Sequence, residues 1–122
     1  MLLFKLGIDM EIGHRIRELR KQKHLTQRQL AQMANINFTY LSKIENGRLT
    51  HTPSVATLRA LAYALGVDEL ELLQLANKLP SGFDQIVKNR DALHFFRRAS
   101  QVVSTNEVWK DLERYLEERA RQ

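Results

Sequence analysis

From Ile12 onward the hydrophobic positions recur every three or four residues, the spacing of an apolar stripe down one side of a helix. Ile12, Ile16 and Leu19 predict a first helix from about Glu11 to Lys23. Leu30, Met33 and Ala34 predict the buried face of a short helix from Gln27 to about Ala34, with small Ala31 where a crossing helix can approach closely. Ile36, Leu41 and Ile44 do the same for a helix from Phe38 to about Asn46. Val55, Leu58, Leu61, Ala62 and Leu65 mark a fourth helix over 55–65. A fifth, from Glu69 to about Ala76, carries Leu70, Leu72, Leu73 and Leu75, more apolar positions than one narrow stripe needs.

Polar and glycine residues punctuate these stripes where helix ends require them. Thr26, Asn37, Ser54 and Asp68 each precede a predicted helix and can accept a hydrogen bond from an otherwise unpaired backbone N–H. Asn35, Gly47 and Gly66 follow helices and tolerate the left-handed conformation of a helix stop.

The turn-rich stretch from Asn77 to Gly82 reads as a boundary. Beyond it the pattern predicts three more helical pieces: about 83–88, about 91–99 and one from near Ser104 towards Arg119. The string Ser104-Thr105-Asn106-Glu107 fits a capping box at the start of the last. Val108, Trp109, Leu112, Tyr115 and Leu116 recur at helical spacing along it. About forty residues cannot enclose that many large side chains, so the tail must pack on the first domain or on a second chain, the latter being favoured. Phe95, Phe96, Trp109, Leu112 and Leu116 are the candidate dimer or partner contacts. At the other end, Met1 to Met10 alternates apolar residues, as a strand-like arm would. It reads alternatively, and preferably, as irregular lead sequence ahead of a start at Met10.

Charge adds a polarity that hydrophobicity does not show. The net charge is +5, but residues 1–60 hold ten Lys/Arg against four Asp/Glu, while residues 61–122 hold nine against ten. A basic half of this kind suits a phosphate backbone. The absence of cysteine excludes disulfides and thiolate metal sites and suits a reducing cytoplasm. No run is long and apolar enough to span a membrane, so no membrane partner is expected.

The strings TQRQLAQMA (26–34), YLSKIENGR (40–48) and TPSVATLRALAYALGV (52–67) together resemble the helix-turn-helix of the Cro/Xre family of phage and bacterial repressors. The resemblance runs from Ile12 to about Leu75. It implies an all-α fold, a five-helix lambda-repressor-like domain over 10–78 followed by a short helical extension over 83–122. It also implies a sequence-specific regulator of double-stranded DNA, a repressor bound as a homodimer to a palindromic operator, working in the cytoplasm on the nucleoid.

Carried over by position, the resemblance places Asn37, Phe38, Thr39, Ser42 and Lys43 towards the bases. Lys43 can donate to guanine O6 and N7, Asn37 can pair with adenine, and Phe38 can meet a thymine methyl or can instead join the core. Gln27, Arg28, Tyr40, Asn46 and Arg48 are the implied phosphate contacts, which set register without reading sequence. An ion pair between Arg20 and Glu45 is implied as the support of the third helix.

Four dispersed histidines and no cysteine make no metal pattern, and neither a phosphate-cradling glycine loop nor a nucleophile elbow is present. The carboxylates Asp111, Glu113, Glu117 and Glu118 sit beside Arg114 and Arg119 as a solvated face. No enzyme activity, cofactor or metal is therefore expected. The alternative function is an antitoxin-like or partner-controlled regulator whose C-terminal helices bind another protein.

Overall fold

The computed structural model describes the backbone from Leu2 and the side chains from Met10 onward. Among the described residues all regular structure is α-helical. The chain divides into two units, Met1–Ser81 and Gly82–Gln122.

The first unit holds α1 (Leu2–Gln22), α2 (Gln27–Met33), α3 (Phe38–Glu45), α4 (Val55–Leu65) and α5 (Glu69–Leu75). Helix α1 begins well before the Glu11 that the apolar spacing suggests. The strand-like or irregular arm is thus corrected to helical backbone from Leu2, and the side chains of residues 1–9 lie outside the described residues. An alternation of Leu2, Phe4, Leu6 and Ile8 is compatible with either period over so short a run, and here the helix carries on through it.

The core draws on all five helices. Ile12, Ile16, Leu30, Leu41, Leu58, Leu61, Leu65, Leu72 and Leu73 are all essentially inaccessible to solvent. Each such side chain contributes on the order of 1.5–3 kcal/mol over leaving it in water. Met33 does not join them. It lies on the outer side of α2 and is 54% exposed, so its expected place in the buried stripe is corrected. Leu70 is the surplus apolar residue of α5, half-exposed beside the buried Leu72 and Leu73.

Helix α1 approaches α3 so closely that Gly13 is obligatory. A Cβ there would come within 2.7 Å of the Glu45 carbonyl oxygen and closer still to that of Ile44. At the other end of the unit, Arg15 pairs with Glu71 and joins α1 to α5, while Arg59 lies 3.0 Å from Glu69.

One stop motif ends all five helices. His24, Asn35, Gly47, Gly66 and Asn77 have φ values of 55°, 55°, 65°, 71° and 53°. In each case the next residue's N–H bonds back to a carbonyl five residues earlier: Leu25 to Arg20, Ile36 to Ala31, Arg48 to Lys43, Val67 to Ala62 and Lys78 to Leu73, all between 2.9 and 3.1 Å. These bonds satisfy carbonyls that a helix end would otherwise leave unpaired. His24 adopts this conformation without being glycine and carries its strain.

The second unit holds α6 (Phe83–Ile86), α7 (Arg90–Val102) and α8 (Asn106–Ala120). Asn89 caps α7 by accepting from the Ala92 N–H at 3.0 Å. The capping box expected at Ser104–Glu107 does not form. Thr105 takes the cap position one residue later, and no side chain caps α8. The Phe96 ring lies 5.3 Å from that of Phe83 and 5.2 Å from that of Phe95. Ala99 is the one buried residue among those described in this unit.

Candidate nucleic-acid interface

Two capped helices and the four-residue turn 34–37 between them form the site. Thr26 Oγ1 accepts from the Gln29 N–H at 3.1 Å, and Gln29 Oε1 accepts from the Thr26 N–H at 2.8 Å. This reciprocal box fixes the start of α2. The chain then turns through left-handed Asn35, tucks Ile36 against the core, and reaches Asn37, the N-cap of α3. Asn37 Oδ1 accepts from the Thr39 N–H at 2.7 Å. The side chain offered for adenine is therefore also the cap of its helix, with only its amide N–H group left to donate.

The angle of α3 is set by one carboxylate. The Glu45 side chain is completely buried, and four donors from three residues converge on it. Arg20 donates from Nε to Oε2 at 2.8 Å and from Nη2 to Oε1 at 2.9 Å, a bidentate pair. Gln27 Nε2 donates to Oε1 at 3.1 Å and Arg17 Nε at 3.3 Å. Arg20 also donates from Nη1 to the Leu25 carbonyl at 2.9 Å, so the same guanidinium fastens the loop between α1 and α2. Burial opposes ionisation of Glu45. The bonds from Arg20 and Gln27, the charge of Arg20 and the bond from Arg17 outweigh it and hold the carboxyl below its ordinary pKa.

The residues expected at DNA divide by what else they do. Thr39 and Lys43 are exposed on α3, and Ser42 is half-exposed beside them. Arg48 is exposed just past the α3 stop. Phe38 is half-buried and packs against the core, and the Arg28 guanidinium sits 4.5 Å over its ring. Tyr40 is likewise half-buried against the core. Gln27 gives its amide to Glu45. Asn46 donates to the Ser42 carbonyl at 2.8 Å, and its Oδ1 accepts from Arg17 Nη2 at 2.8 Å.

Arg17 is the residue that sequence reasoning missed. It bridges Glu45 and Asn46 and leaves about a third of its side chain in solvent beside the end of α3. Its only signal in the sequence is its place among the basic residues of α1. The dispersed tail residues Phe95, Phe96, Trp109, Leu112 and Leu116 do share one feature, an apolar groove within the second unit.

Comparison with known proteins places this geometry. Residues 16–72 match the family described as helix-turn-helix. The immunity repressor protein of Bacillus phage phi105 is 34% identical over 106 residues, spanning 86% of this chain and 67% of that one. An uncharacterized HTH-type transcriptional regulator of Sinorhizobium fredii is 38% identical over 71 residues, 58% of this chain and 90% of its own. Among solved structures, the SinR protein/SinI protein complex superposes with a TM-score of 0.50 and 31% identity, covering 91% of this chain and 99% of the chain compared. The chain belongs to the Cro/Xre-type helix-turn-helix family of DNA-binding transcriptional regulators, with a lambda-repressor-like all-α fold.

Proposed function

We propose that this regulator is a repressor that binds a two-fold-related operator as a homodimer. Each protomer sets α3 in the major groove, with half-sites about 34–36 Å apart. The observation that carries this reading is the buried Arg20–Glu45 clamp, which holds α3 with Thr39, Ser42 and Lys43 facing outward in the basic half of the chain. Those three residues, with the free amide N–H group of Asn37, read base edges. Phe38, half-buried beneath the Arg28 guanidinium, meets a thymine methyl. Arg28, Arg48 and the positive start of α2 at Gln27 take phosphates, with Tyr40 and Asn46 flanking them. Residues 10–78 are the DNA-binding domain, and 83–122 hold the protomers together. The similarity to a phage immunity repressor supports repression as the outcome. Among the described residues no helix is long and apolar enough to cross a membrane. Binding to genomic DNA places the protein in the cytoplasm on the nucleoid in this reading.

A second reading adds control by a protein partner. It is favoured by the likeness, through both units, to a chain solved as a SinR/SinI complex.

Selection of bound fragments from source genomic DNA, at low and physiological salt, tests the proposal. One enriched palindrome that survives physiological salt supports it. Uniform binding that vanishes with salt shows a basic surface alone and refutes specific recognition.

A further inference from the structure

The polar groups on the outer side of α3 are tied to their neighbours, and the ties fix which way their hydrogens point. Asn46 holds its amide between two partners. Its Oδ1 accepts from Arg17 Nη2 at 2.8 Å, and its Nδ2 donates to the Ser42 carbonyl at 2.8 Å. A reversed amide would set donor on donor at Arg17 and oxygen on oxygen at Ser42, so the orientation is determined by the network. Nδ2 also donates to Ser42 Oγ, at 3.4 Å. Among the described residues no acceptor takes the Ser42 hydroxyl proton. With a lone pair engaged by Asn46, the hydroxyl presents that proton outward.

Two further groups on this side have the same polarity. Lys43 is exposed beside Ser42, and its ammonium group only donates. Asn37 Oδ1 already accepts from the Thr39 N–H at 2.7 Å, which leaves the amide N–H group to face outward. Thr39 alone keeps a hydroxyl that can donate or accept. The bases do not match such a surface equally. In the major groove guanine shows two acceptors, O6 and N7, and thymine shows O4. Cytosine shows an N4 amino donor, and adenine sets an N6 donor beside N7. Donor against donor leaves both groups unsatisfied, which costs more than a made bond gains.

We propose that α3 reads as a donor at Asn37, Ser42 and Lys43, and that its half-site sets acceptor edges, guanine foremost, against all three. Asn46, oriented by Arg17, is a positioning residue that acts on the bases through the Ser42 hydroxyl. Adenine is removed as the bidentate partner of Asn37, since that pairing needs the Oδ1 already given to the helix cap. The proposal rests on the operator reading above and supplies the kind of base edge that α3 takes.

The test uses the full-length protein and synthetic random-sequence duplexes, selected at physiological salt. Ser42→Ala and Lys43→Ala identify, by the preference each loses, the base pairs these residues face. Acceptors in those pairs are then removed with 7-deazapurines or weakened with thiocarbonyl bases, and amino groups are masked with methylamino bases. Donor reading requires at least one acceptor change at each pair to lower wild-type affinity about fivefold, and the amino changes to stay within about twofold. Asn46→Ala frees the Ser42 hydroxyl to rotate and accept, so discrimination against an amino edge should fall about fivefold at the Ser42 pair. An Asn46→Ala protein weakened alike on every sequence would overturn the positioning role. Loss of wild-type affinity on masking an amino group at either pair would overturn donor reading while leaving specific operator binding intact, as would unchanged preferences in both Ser42→Ala and Lys43→Ala. Enrichment of no sequence at all would overturn the operator reading as well.

Discussion

Arg20 and Glu45 form a bidentate pair, with contacts of 2.8 and 2.9 Å, whose carboxylate side is completely buried. The pair joins α1 to the last residue of α3. Arg20→Ala would leave Glu45 buried with only Gln27 and Arg17 to satisfy it. The expected loss is roughly 3–5 kcal/mol, the usual cost of stranding one member of a buried pair. Urea denaturation measures it, and a loss below about 1 kcal/mol would show that the clamp does not hold the fold.

The same carboxylate makes stability depend on acid. The folded pKa of Glu45 lies below its unfolded value of about 4.3. Its contribution is therefore complete above the unfolded pKa and is lost as pH falls through the lower folded one. Urea midpoints from pH 7 down to 2 should fall in the acid range for wild type. In Glu45→Gln the acid limb should be shallower, the variant being weaker at neutral pH and the gap between the two chains narrowing in acid. A constant gap across that range would mean that Glu45 does not titrate between the two states.

Gly13→Ala is expected to destabilise by roughly 1–3 kcal/mol, in spite of the better helix propensity of alanine, because its Cβ meets the Ile44 and Glu45 carbonyl oxygens. Since the displaced element is α3, operator affinity should fall with stability. A variant as stable as wild type would show that α1 can move aside without cost.

His24→Gly should act in the opposite direction. His24 has a φ of 55°, and glycine relieves the left-handed strain while making the unfolded chain more flexible. The net gain expected is up to about 1 kcal/mol in thermal or urea melts. A clear loss would show that the imidazole makes a stabilising contact that outweighs the strain.

Lys43→Ala and Arg48→Ala should separate reading from anchoring. Both side chains are exposed, so both variants should keep wild-type stability. Lys43→Ala should change which operator variants are preferred. Arg48→Ala should weaken binding to every sequence and flatten the slope of log affinity against log salt by about 0.9. An unchanged slope would remove Arg48 from the phosphate contacts.

What could be read in the sequence was local. Thr26, Asn37, Ser54 and Asp68 all cap helices within three residues of themselves, so the starts of α2 to α5 follow from side-chain chemistry alone. The left-handed stops at Asn35, Gly47 and Gly66 are equally local. Met33 shows the limit of the spacing rule, since a residue at the edge of a stripe faces core or water according to how its helix is rotated. At Ser104–Glu107 the helix started one residue late, and a box that needs the exact register vanished. Gly13 and Arg17 were illegible for a different reason. Their importance comes from the C-terminal end of α3, about thirty residues away in the chain, and nothing in their immediate neighbours marks the approach.

The division of labour on α3 has an evolutionary consequence. Its inner side, Leu41, Ile44 and Glu45, is tied into the core and the clamp, whereas Thr39 and Lys43 face solvent. Mutations at the outward positions are nearly free of folding penalty. On the proposed base-reading role of Thr39 and Lys43, a lineage carrying this scaffold can wander between operators by single substitutions, and duplicated copies can diverge into regulators that ignore each other's sites long before either loses its architecture.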